Sequence, residues 1–310
     1  MSNIRNKRVA RRKIHTPKSN AVLYNELSTG SNPTLIIEEA EEQESQPSII
    51  LSTNSKVEKY DYQHMSYLYT EDNPAQQLGN YRFAMDYLTY HNINVSSSNA
   101  KLVSRLKDLI YDFPNFDMSP YLTNFDGSVH SWITSQMANI FAKKYLGTIY
   151  ILDGGIGLLG ACIFDSKLIF ENIRSFDLRP QGQFMADSMM KDELLQDWKF
   201  KSATQDIFNL GYIENTFLTT LPDGNLSNPF DEIPNVIINT NISNIEHYED
   251  WWKMVPTTRH VVLVGRDGDD VPRSFTSSIA FNRKFQLTTE LYSGVQKING
   301  INHYMKIGIK

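Results

Sequence analysis

Short apolar runs alternate with longer amphipathic stretches through the second half of the chain. Thr148 to Leu152, Ile173 to Asp177, Lys199 to Ala203, Asn235 to Thr240 and His260 to Arg266 are each the length of a strand. Between them lie helix-length segments, at about Trp132 to Tyr145, from about Gly157 onward, and at about Gln183 to Trp198. Strands that alternate with helices predict βαβ units and a parallel sheet. The ending differs. Phe285 to Tyr292 and His303 to Ile309 alternate with no helix between them, and the joining segment contains Asn299-Gly300, which is a hairpin signature. The expectation is an α/β three-layer sandwich whose mostly parallel sheet finishes in an antiparallel hairpin.

The first half reads differently. Arg5, Lys7, Arg8, Arg11, Arg12, Lys13 and Lys18 form a basic block, followed by the acidic Glu38, Glu39, Glu41, Glu42 and Glu44. Opposed charge blocks without a hydrophobic period predict a disordered or extended tail over residues 1–55. A basic arm at 5–18 could contact nucleic acid through phosphates or meet a protein partner; a solvated tail is the plainer reading. Residues 56–130 are aromatic and helix-prone, with Tyr60, Tyr62, Tyr67, Tyr69, Tyr81 and Phe83. Leu102, Val103, Leu106 and Ile110 repeat at helical spacing from Asn99 to Tyr111, and Pro114 closes that helix. These features predict a helical cap, leaving 131–310 as the main domain.

The most informative stretch runs Asp153-Gly154-Gly155-Ile156-Gly157-Leu158-Leu159-Gly160, a G-x-G-x-x-G placed between an expected strand and an expected helix. Glycine suits a tight turn that lets a ligand approach the backbone, and a helix start offers free N–H groups. Asp153 ends the first strand, and a carboxylate beside a pyrophosphate would be repelled. It suits a cofactor with a cationic amino group instead. Asp177 ends the second strand, where a carboxylate can accept hydrogen bonds from ribose hydroxyls. Ala203-Thr204-Gln205-Asp206 follows the third.

The order D-x-G-x-G-x-x-G, then Asp177, then A-T-x-D at Asp206, then Asn235 to Asn241, resembles the class I S-adenosylmethionine-dependent methyltransferases. That family has a Rossmann-like fold, and its parallel sheet ends with an inverted strand. Trp198 to Tyr212, and Asn239-Thr240-Asn241 followed by Trp251, Trp252 and Pro256, are similar to methyltransferase-like proteins of tailed phages. The resemblance covers about 180 residues and implies S-adenosylmethionine as cofactor. It implies that Asp153 approaches the methionine amino group, with Gly154, Gly155 and Gly157 along its backbone path. Asp177 would hold the ribose and Leu178 would lie against the adenine. Asp206 would bond the adenine amino group, and Asn239 to Asn241 would close the floor beside the sulfonium. For each aspartate taken alone, a helix cap or turn residue is the competing reading.

Composition narrows the remaining choices. A chain of 310 residues with net charge -5 and 41% hydrophobic residues describes an ordinary soluble protein. No apolar stretch approaches the roughly 18 residues of a membrane span, and no secretory signal is visible, so a cytoplasmic location is expected, in a host cell or virion if phage-encoded. Cys162 is the only cysteine. It falls on the buried face of an expected helix, which disfavours a nucleophilic role. Asp267-Gly268-Asp269-Asp270 lacks calcium-loop spacing and reads as a turn, and neither a phosphate-binding G-x-x-x-x-G-K-[ST] nor H-E-x-x-H occurs. The fourth strand is not followed by the Asn/Asp-Pro-Pro-aromatic of amino-methylating nucleic-acid enzymes. His247 and Glu246 follow that strand and could remove a proton, though a solvated helix face suits them better. The methyl acceptor is left unnamed. An inactive methyltransferase-like domain with a structural or interaction role stays open, as does a nicotinamide-dependent oxidoreductase, against which Asp153 argues.

Overall fold

The computed structural model describes residues 35–38, 48–53, 56–60, 73–91, 100–196, 198–217 and 228–310. The chain divides into two units, Met1–Gln63 and His64–Lys310. In the first, β1 (Leu35–Glu38), β2 (Ser48–Thr53) and β3 (Lys56–Tyr60) pair antiparallel in that order. The basic arm at 5–18 and the aromatics Tyr62, Tyr67 and Tyr69 lie outside the described residues.

The second unit opens with three helices, α1 (Pro74–Tyr90), α2 (Ala100–Asp112) and α3 (Asn124–Ile140). Asn73 caps α1 by accepting from the Gln76 amide, with Pro74 at the first helical position, where its missing N–H costs nothing. Thr123 caps α3 in the same way, accepting from the Asp126 amide. There follow β4 (Thr148–Leu152), α4 (Leu158–Phe164), β5 (Ile173–Asp177), α5 (Pro180–Met189), α6 (Lys191–Leu195) and β6 (Phe200–Thr204). The short pair β7 (Asn215–Phe217) and β8 (Phe230–Glu232) precedes β9 (Pro234–Asn239), α7 (Tyr248–Met254) and β10 (His260–Arg266). The chain closes with α8 (Ser278–Lys284), β11 (Thr289–Ile298) and β12 (Ile301–Ile309).

Seven strands form the central sheet, in the order β11-β12-β10-β9-β4-β5-β6. Every pair from β10 to β6 is parallel, and β12 runs antiparallel to both β10 and β11. The fold is the expected Rossmann-like α/β sandwich, with β11 and β12 as the terminal hairpin through Asn299-Gly300. Alternating side chains send Ile149, Ile151, Val236, Ile238 and Val262 into one core and Tyr150, Leu152, Ile237, Val261 and Leu263 into the other. The first core also takes Tyr87, Leu106, Ile110, Ile133 and Met137 from α1, α2 and α3. The three helices thus share one apolar cluster with the sheet.

Several expected boundaries move. The helix expected from Trp132 begins at Asn124, because Thr123 caps it two turns earlier. The helix expected from Gln183 to Trp198 starts at Pro180 and breaks at Met190. The strand expected from Phe285 begins at Thr289 instead. Phe285 follows α8 and is fully buried among Trp252, Phe275 and Phe281, so its apolar character serves a helix end rather than a strand.

Buried ion pairs sit inside this unit. Arg105 of α2 pairs with Glu193 of α6 and lies 3.7 Å from Asp165, at the end of α4. On the other face of the sheet, Arg174 of β5 pairs with Glu232 of β8, both largely buried, and also donates to the Trp198 carbonyl. A further polar group runs through the helical core. Tyr87 Oη lies 2.9 Å from His130 Nδ1 and 3.6 Å from Cys162 Sγ, which in turn lies 3.2 Å from His91 Nε2.

Candidate functional site

Strand order reverses between β4 and β9: the chain leaves β4 toward β5 and β6, then returns to the far side of β4 as β9. Open α/β sheets bind ligands at such a point, beyond the carboxyl ends of the strands. A cavity of about 490 Å³ lies there. The turn after β4 shapes it. Asp153, Gly155 and Gly157 all have positive φ, at 54°, 53° and 84°. A side chain on Gly155 would come within 2.9 Å of the Tyr121 ring, and one on Gly157 within 3.2 Å of the Ala186 backbone. Only glycine meets both conditions without strain.

The strand ends deliver the carboxylates that the sequence pointed to. Asp177, 4% exposed, accepts from the Gly155 amide at 2.9 Å and the Arg179 amide at 2.8 Å. The Arg179 guanidinium donates to it twice more, at 3.0 and 3.2 Å. Asp153 accepts from Asn241 Nδ2 at 2.7 Å. Although Asp153 is solvent-exposed as a residue, protein surrounds its carboxyl closely enough to raise the pKa above the usual carboxylate range, and the nearby Asp177 adds to the rise. Asn239 ends β9 at 1% exposed. Its Oδ1 accepts from the Asn241 amide, while its Nδ2 has no hydrogen-bond partner among the described residues. A buried amide donor left unpaired is costly unless something else meets it.

Of the residues named from sequence, Asp153, Gly154, Gly155, Asp177, Leu178 and Asn239 line this cavity. Gly157 sits behind the turn, against Ala186. Asp206 is not brought to the cavity. Its carboxylate accepts from the Phe208 amide and caps a short 3-10 turn, and its neighbours Gln205 and Ile207 line the wall instead. His247 and Glu246 are exposed and form no part of the lining; Trp251 is fully buried against the sheet, hydrogen-bonded to Tyr212.

The remaining wall comes from the helical segment before the sheet, where Tyr121, Asp126 and His130 line the cavity. The Arg179 guanidinium lies 4.4 Å from the Tyr121 ring centre, a cation–π contact that holds it across the cavity beside Asp177. Burial pushes the Tyr121 hydroxyl up to about 12. Burial, together with the charge of Asp153, likewise raises Asp126 to about 6 against two opposing hydrogen bonds with Thr123. His130 is lowered to about 3 by burial, so its ring is neutral. Thr123-x-x-Asp126 is a capping pattern visible in the sequence, and it could have marked the start of α3. Nothing local says that Asp126 also faces a cavity. Among the described residues no cluster of three or more His, Cys, Asp or Glu could hold a metal ion, and no helix is long and apolar enough to cross a membrane.

No family model matches the sequence, and no curated protein matches it. Solved structures resemble the chain remotely. One is an S-adenosylmethionine-dependent methyltransferase from Aquifex aeolicus, 10% identical over 57% of this chain and 89% of that one, with a TM-score of 0.39. Another is the magnesium protoporphyrin IX methyltransferase of Synechocystis with bound S-adenosylmethionine, 10% identical over 77% and 99%, with a TM-score of 0.40. The same Synechocystis protein with S-adenosylhomocysteine gives 0.41 over 68% and 95%.

Proposed function

We propose that the cavity binds S-adenosylmethionine and that the chain is a methyltransferase. The observation that carries this reading is the charge and donor pattern at the strand ends. Asp126, Asp153 and Asp177 line the cavity against one cation, Arg179, while the buried Asn239 Nδ2 waits for an acceptor. Three carboxylates would repel a pyrophosphate, so the pattern speaks against a dinucleotide and for a ligand bearing positive charge.

S-adenosylmethionine supplies an activated methyl group on a positively charged sulfur. The chain would supply position. Asp153 would face the amino group, Asp177 the ribose hydroxyls, and Leu178, 64% exposed beside the cavity, the adenine face. Asp177 already accepts four hydrogen bonds from the protein, about the capacity of a carboxylate. Two come from backbone amides and can stay. The two from the Arg179 side chain, which is 48% exposed, would have to yield to the ribose. In-line placement of an acceptor can provide much of the rate in such a transfer.

Calorimetric titration with S-adenosylhomocysteine, beside an Asp153→Ala control, tests the proposal. Micromolar binding that the substitution abolishes is expected. Absence of binding at millimolar ligand would overturn it and leave a methyltransferase-like domain with an interaction role.

A further inference from the structure

Asp126 and Asp153 approach the cavity from opposite elements, one on the first turn of α3 and the other on the turn after β4. Each raises the pKa of a neighbour by its charge, and Asp153 acts on Asp126 in this way. Among the described residues, the groups around Asp126 give it no cation. Thr123 hydrogen-bonds it, and the Tyr87 hydroxyl and the neutral His130 are close by. Arg179, the only cation among the described lining residues, is engaged by Asp177 and Tyr121 and acts by charge on Asp153. Asp153 feels the charge of Arg179, whereas Asp126 has no positive partner among the described residues. In the same wall Asn239, 1% exposed, keeps an unpaired amide donor.

Building on the proposed cofactor, we infer that Asp126 is a second amine-binding carboxylate, which with Asp153 brackets the ammonium of the ligand's amino-acid end while Asn239 Nδ2 donates to an acceptor atom of the same ligand. An ammonium has three donors and can serve two carboxylates at once. The element before the sheet thereby becomes part of the ligand site, and the site reads the amino-acid end as well as the nucleoside.

Two ligands separate these parts. S-adenosylhomocysteine carries the amino-acid end, and methylthioadenosine keeps the nucleoside and sulfur but lacks it. Titration of the full chain with each ligand, in the wild type and in Asp126→Asn, is the test. Asn keeps an oxygen for the Thr123 hydroxyl but no charge. The expected result is that Asp126→Asn weakens S-adenosylhomocysteine about tenfold or more and changes methylthioadenosine by less than about twofold. Methylthioadenosine binding also reports that the variant is folded. Equal weakening of both ligands, or no weakening of either, overturns the inference and leaves the proposed cofactor standing. A wild type that binds neither ligand overturns both.

Discussion

The clearest consequence of the Asp126 environment is on stability rather than binding. Burial and the neighbouring Asp153 raise its carboxyl from 3.8 to about 6 in the folded chain. A carboxyl raised on folding contributes its full stability below pH 3.8, where folded and unfolded chains both hold the proton. That contribution is lost as pH rises through the window to about 6, because the unfolded chain ionises first. At roughly 1.4 kcal/mol per pKa unit the loss is about 3 kcal/mol, complete above about pH 6. Asp126→Asn removes the penalty while keeping the capping geometry of Thr123. Without ligand, the variant is therefore expected to be the more stable protein at pH 7.5. At about 2 °C per kcal/mol for a unit of this size, thermal unfolding should move up by as much as about 6 °C. At pH 4 the gain should shrink to about 0.5 kcal/mol. Differential scanning calorimetry of both proteins at the two pH values measures this. An equal gain at both values, or a loss at pH 7.5, would refute the reasoning. A residue whose replacement stabilises the free protein while weakening the ligand is the expected mark of a binding site.

Other substitutions probe separate links. Glu232→Ala strands Arg174 in the core, and the expected cost is about 3–5 kcal/mol in chemical denaturation, far above that of a surface ion pair. Gly157→Ala forces φ 84° on a residue with a side chain facing the Ala186 backbone, so a loss of at least about 1–2 kcal/mol and a collapse of ligand affinity are expected by thermal shift and calorimetry. Arg179→Ala frees two acceptor positions on Asp177, so methylthioadenosine affinity should hold or rise; a large fall would show that Arg179 touches the ligand. Lowering pH from 7.5 to 5 protonates Asp126, so S-adenosylhomocysteine should weaken more than methylthioadenosine across that range.

The sheet and the glycine turn were legible because their signals are local. Apolar runs of strand length, helical spacing and Gly155 at a left-handed position are each written within a few residues. The cavity floor followed from them, since Asp153, Asp177 and Asn239 sit at strand ends and a parallel sheet gathers such ends on one side. Asp206 shows the limit: the same local pattern placed an aspartate after β6, but its carboxylate caps the following 3-10 turn and does not line the cavity. Tyr121, Asp126 and His130 were out of reach for the opposite reason. They come from a segment that precedes the sheet, and only packing of α3 against α4 brings them to the cavity. Phe285 misled because a buried helix end and a strand start share the same apolar composition.

The network around Cys162 gives the molecule a built-in reporter. This thiol is the only one in the chain, it is 4% exposed, and burial holds it protonated with its pKa pushed up to about 12. A thiol-reactive probe therefore has a single target, buried against Tyr87 and His91, and labelling requires a local opening of that packing. The labelling rate thus counts local openings around Cys162 on α4, the helix into which the glycine turn leads. A ligand that bridges the turn to α3 would slow that clock.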